Sequence, residues 1–226
     1  TNHPPARHTH EAEGSWYASG QIALSWQTRL GSGWFADAAA NQEITTFDGS
    51  PDSDFQNTNL HLGVSKTWVD AADALFFARY EYQHLATNLA TDQDYDAHRF
   101  RLGVLKELPI SPRQKLEVDL HSAFDLTTSP HSLKRQCFSV AVHHTFWFHD
   151  RLHLLTSWRA EFWNFQSGRR DDWAQSLGIR AVWRISTSTS SHLSFTYHDH
   201  ESNASLGANE FSAWQLGAGL GICHRF

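Results

Sequence analysis

Residues 16–30 read WYASGQIALSWQTRL. The even positions carry Trp16, Ala18, Ile22, Leu24, Trp26 and Leu30, and the odd positions carry Ser19, Gln21, Ser25, Gln27 and Arg29. Successive side chains of a β-strand point to opposite faces, so this two-residue repeat describes a strand with one apolar and one polar side. A helix would gather its apolar groups three or four positions apart, which this segment does not do.

Working outward, the repeat returns near 56–69, 74–87, 97–108, 115–126, 137–148, 152–165, 175–186, 192–199 and 211–226. It is clearest where Leu116, Val118, Leu120, Phe124 and Leu126 alternate with Lys115, Glu117, Asp119, His121 and Asp125. Most of these segments are longer than the roughly five or six residues usual in soluble sheets, and match the ~9–11 residues that cross a bilayer at a tilt. The links after the second, fourth, sixth and eighth segments are short, and those after the odd-numbered segments are longer, led by 31–55. Short turns on one side and long loops on the other are the signature of a transmembrane barrel. The sequence therefore predicts an all-β fold, a single antiparallel up-and-down transmembrane β-barrel of about ten strands over 15–226. Both ends are then expected on the short-turn side, with residues 1–14 as a flexible periplasmic tail.

Composition narrows the reading. No stretch supplies the roughly 18 apolar residues of a membrane-spanning helix, which excludes a helical membrane protein. The 18 Lys and Arg are scattered and the net charge is -6, so the basic face needed for nucleic acid is missing. Ten Trp and 15 Phe beside no Met suit a barrel with aromatic belts at the two membrane interfaces. Trp16, Trp68 and Trp183 are expected in the periplasmic belt, and Trp26, Tyr82 and Trp214 in the outer one. A start at Thr1 suggests a signal peptide already removed. Cys137 and Cys223 are expected at opposite ends of the barrel, too far apart for a disulfide.

From Ser15 to Phe226 the chain resembles bacterial outer-membrane β-barrel proteins of the porin-like kind. Its ending, Gly219-Leu220-Gly221-Ile222-Cys223-His224-Arg225-Phe226, resembles the signal that the barrel-assembly machinery reads, with Phe226 as its terminal aromatic. The resemblance implies residence in the bacterial outer membrane, contact with its lipid and lipopolysaccharide, and a place in passive transport.

The polar side of the strands is expected to line a lumen with Arg79, Glu81, Arg99, Arg101, Glu117, Asp119, His121, His143, Arg159, Glu161, Arg180 and Arg184. Charges leaving bulk water need partners, so two outcomes are open: a salt-bridged filling, or a polar channel whose arginines select anions. A small or narrow pore for polar solutes is the leading reading. A non-conducting barrel that anchors a protein partner in a larger envelope complex is the alternative.

Two enzyme readings stand beside these. The segment His200-Glu201-Ser202-Asn203, followed by Glu210, resembles a motif of lipid A deacylases, with His200 activating Ser202 and Glu210 orienting the base. Asp92 and Asp94, with Asp96 and His98, match the spacing of the omptin proteases, yet all four fall in one loop. The 16 histidines include His198 and His200, which share a face, but no ligand spacing recurs, so no metal and no other cofactor is expected.

Overall fold

The computed structural model describes residues 17–47, 55–68, 74–87, 94–166, 170–203 and 210–222. Eleven strands follow one another: β1 (Tyr17–Gly31), β2 (Trp34–Phe47), β3 (Phe55–Trp68), β4 (Ala74–Thr87), β5 (Tyr95–Ser111), β6 (Gln114–Ser129), β7 (Arg135–His149), β8 (Leu152–Phe165), β9 (Arg170–Arg184), β10 (Thr189–Ser202) and β11 (Phe211–Ile222). Each pairs antiparallel with the next, giving one up-and-down sheet in the order β1 to β11. Among the described residues the two end strands are not paired with each other.

Ten strands were expected, and β2 is the one the pattern hid. Its outward positions Ala36, Ala38 and Ala40 are barely apolar, and its inward side holds Phe35, so the contrast between faces is weak. Its boundary is plain in the chain nevertheless. Gly31, Ser32 and Gly33 all take positive φ (105°, 49° and 79°), a backbone that glycine adopts without penalty. They close a tight hairpin that pairs Tyr17 through Gly31 with Phe47 back to Trp34.

This hairpin reverses the expected direction of β1. The tight connections follow β1, β5 and β7, so the odd strands all run toward the tight-turn end. With eleven strands among the described residues, the start of β1 and the end of β11 lie at opposite ends, not both at one. In barrels of this class the tight turns face the periplasm. Trp26 accordingly lies nearer the Gly31 turn than the start of β1, on the tight-turn side and not in the outer belt. Trp68 and Trp183 lie toward the tight-turn end of their strands, and Tyr82 and Trp214 toward the long-loop end. Trp16, Cys223, Phe226 and the tail over 1–14 lie outside the described residues. Cys137, near the long-loop end of β7, is a free thiol.

The two faces of the sheet differ sharply. Ile22, Leu62, Leu177, Leu193, Leu216 and Leu220 all stand on one face with more than half of their surface exposed. Water would penalise such a surface at roughly 25 cal/mol per Å², whereas lipid does not. On the opposite face, His121, Asp125, Ser139 and Asp172 are buried. The apolar core of a soluble protein is turned inside out here, and the sheet is that of a membrane barrel.

Glycines on the polar face show that it is the concave one. Gly63 in β3 sits between Arg79 of β4 and Asp37 of β2, which meet over it with Nε 3.2 Å from Oδ2. At Gly103 in β5, a Cβ would lie 2.4 Å from the Phe77 ring and 2.7 Å from the Cβ of His121. Side chains two strands apart converge only on the inside of a curved sheet. Replacing Gly103 by Val should therefore overpack the lumen and cost about 1–3 kcal/mol. Urea midpoints of the refolded barrel in lipid vesicles would reveal it, and an unchanged midpoint would contradict this packing.

Candidate functional site

The candidate site is the concave face, and its charges fall into two zones. In the first, spanning β2 to β6, acids and bases pair in detail. Asp37 holds both His61 (Nε2 to Oδ2, 3.0 Å) and Arg79. Arg101 meets Glu81 at 3.1 Å across β5 and β4, and Arg99 donates its Nε to Asp125 at 2.8 Å across β5 and β6. Lys115 reaches Glu107 at 2.8 Å and Glu117 at 3.7 Å, and the His121 ring lies 3.1 Å from Asp119. Most of the cross-strand pairings follow from register, since residues directly opposite, or one step along, on antiparallel strands face the same side at contact distance; Arg79 instead spans β3 to reach Asp37, and His121 meets Asp119 along its own strand.

A second paired cluster stands at the long-loop end of β9 and β10. Asp172, almost fully buried, accepts from Arg170 Nε at 2.9 Å and from Ser202 Oγ at 2.6 Å, with His200 Nε2 3.3 Å from its other oxygen. Aromatic rings frame it: His200 packs against Trp163 and Phe211, and the Arg170 guanidinium lies 4.3 Å from the centre of Phe165. Arg135 stacks over Trp163 at the same distance.

The other zone is the tight-turn half of β8 to β11. Arg180 and Arg184 share the concave face with His153, Ser194 and the bare backbone of Gly217, Gly219 and Gly221. Among the described residues, no carboxylate lies within ion-pair distance of either arginine. Arg159 reaches Glu161 only at 3.9 Å, and His143 stands on the concave face of β7 opposite Ser157 and Glu117.

All twelve residues expected to line the lumen lie on the concave face, where register decides their partners. Glu81 does meet an arginine of β5, but Arg79 turns to Asp37, Arg99 to Asp125, Glu117 to Lys115 and Asp119 to His121. Asp37, Arg170 and Asp172 went unnoticed in the sequence. Asp37 sits in the hidden strand, and Arg170 and Asp172 lie in the part of β9 before 175. A polar residue two positions after an acidic or basic one in a strand was the available signal.

Two residues of the hydrolase reading meet at Asp172: Ser202 donates to one of its carboxylate oxygens at 2.6 Å, and His200 Nε2 lies 3.3 Å from the other. Glu210 is exposed just before β11 and is no part of the cluster. Asp96 and His98 are bound to tyrosines: Tyr82 donates to Asp96 at 2.7 Å, and the Tyr80 hydroxyl meets His98. Asp92 falls outside the described residues.

The fold and this exposed apolar band define an outer-membrane-type β-barrel. By structure the chain is similar to an outer membrane channel from Pseudomonas putida F1, with a TM-score of 0.61 and 6% identity over 92% of this chain and 85% of that one. It is similar also to the NanC porin, with a TM-score of 0.51 and 9% identity over 93% and 98%. At such identities the likeness is one of fold. No protein family and no curated protein matches the sequence.

Proposed function

We propose that the chain forms a narrow pore for small polar solutes in the bacterial outer membrane, with a preference for anions. One observation carries the reading: the charged side chains gather on the concave face, most of its acids lie within ion-pair distance of a base, and Arg180 and Arg184 meet no carboxylate among the described residues. Paired charges present local dipoles to a passing ion. A fixed unpaired cation instead raises the local anion concentration across a low-dielectric bore. The channel and porin folds it resembles agree with this use. Lipid and lipopolysaccharide are the partners that the exposed apolar band fits, and the barrel-assembly machinery is the route by which such a chain would be inserted.

Reconstitution into planar bilayers tests the proposal. Discrete conductance steps are expected, with a reversal potential in a salt gradient that favours chloride over potassium. The double variant Arg180→Glu and Arg184→Glu should shift that potential toward cations, reducing the chloride-to-potassium permeability ratio several-fold. The shift should shrink in molar salt, where the Debye length falls to about 3 Å. Silence from correctly folded protein would instead favour a non-conducting barrel that anchors a partner.

A further inference from the structure

On the concave face at the long-loop half of β2 to β5, four residues stand in one cross-strand row: Asn41 faces Asn59, Asn59 faces Gln83, and Gln83 faces Ala97. The row ends in a methyl group, and Ala97 is fully buried. Beside the row lies a hollow of about 210 Å³, rimmed by Asn59, His61, Glu81, Gln83 and Arg99 with Ala97 in its lining. At ~30 Å³ per water, that volume holds roughly seven waters, the space of one small ring compound and not of an oligomer.

The chemistry of this rim is uncharged in effect. Arg99 is matched by Asp125, Glu81 by Arg101, and His61 lies against Asp37. What is left over is amide capacity. Gln83 donates to Asn57 at 3.2 Å and Gln21 to Asn41 at 2.9 Å, each spending one of two amide protons. Asn59 makes no side-chain hydrogen bond among the described residues. A carboxamide offers donors and an acceptor on one rigid plane, and a hydroxyl both donates and accepts. A wall of amides flanked by neutralised charges therefore matches a polyhydroxylated solute better than an ion.

We infer that this hollow is a binding site for a monosaccharide, held by hydrogen bonds from Asn59 and Gln83 with Glu81 and Arg99 at its edges. The inference deepens the pore reading and rests on it for the solute's route of access. The site lies apart from Arg180 and Arg184, on strands β2 to β5 and not β9, so the wall that sets ion preference and the wall that holds the sugar are separate.

Glucose is the probe, tested by titration calorimetry on the detergent-solubilised barrel and by its effect on single-channel current. A poly(ethylene glycol) of equal hydrodynamic size, whose ether oxygens only accept, is the control. Saturable heat and a saturable fall in current are expected for glucose, and an unsaturable, size-governed fall for the polymer. The double variant Asn59→Leu and Gln83→Leu should weaken glucose at least tenfold, Ala97→Leu should do the same by filling the hollow, and Gln27→Leu, on the same face away from it, should change nothing. Heat-dependent gel mobility confirms that each variant is folded, and if Ala97→Leu does not fold, the amide variant alone decides. Identical glucose binding in wild type and the amide variant, or no saturable binding, would overturn the inference. Conductance without saturable binding would refute the site and leave the pore. Saturable binding without conductance would refute the pore and leave the site.

Discussion

Leu177→Arg is expected to destabilise the folded barrel by about 2–4 kcal/mol in a bilayer, the cost of an arginine on the lipid side near mid-membrane. Leu177 lies midway along β9 with just over half of its surface exposed on the apolar face. In lipid its side chain needs no partner, whereas a guanidinium there must drag water inward or bend toward the interface. Its neighbour Ser176 points to the concave face, so Ser176→Arg should cost under about 1 kcal/mol, because the lumen side already carries charge in contact with water. Urea unfolding in phospholipid vesicles measures both. Equal costs at the two positions would mean that the outward face does not touch lipid, and the membrane reading would fall with that result.

Asp172→Ala is the second large effect. The carboxylate is almost fully excluded from solvent, and Arg170, Ser202 and His200 all converge on it. Its removal leaves a guanidinium partly buried against Phe165 without its one carboxylate partner among the described residues, and removing one member of a buried pair costs about 3–5 kcal/mol. Asp172→Asn should recover part of the loss, since an amide oxygen still accepts from Ser202 and Arg170. The same unfolding assay checks this ordering of wild type, Asn and Ala. If Ala equalled wild type, the cluster would be incidental to stability.

The sequence revealed the faces better than the contacts. Period-two alternation depends only on the pleat, so the concave position of Arg101, Glu161 or Arg184 was readable without knowing any neighbour. Pairing was not readable, because it requires register. Arg79 reaches over Gly63 to a strand two places away, and nothing in the local pattern announces that Asp37 will be there. The missing strand shows the same limit from another side. Alternation is detected through contrast, and β2 alternates alanine with a mixture of Phe35, Asp37 and Asn41. Its loss reversed the direction assigned to β1 and moved Trp26 to the wrong belt. The Gly-Ser-Gly sequence at 31–33 was the better witness, since two glycines around a serine suit a tight hairpin whatever the flanking hydrophobicity. The amide row of Asn41, Asn59 and Gln83 was half legible: Asn59 and Gln83 occupy odd positions of alternating segments, which the pleat turns to the polar side, but their adjacency waited on β2 and on register.

The hairpins after β5 and β7 turn through two residues, Pro112-Arg113 and Asp150-Arg151, and the one after β1 is equally tight. So little chain cannot swing into the bore. At these three hairpins the rim is a fixed orifice, its width set by the strands and not by loops.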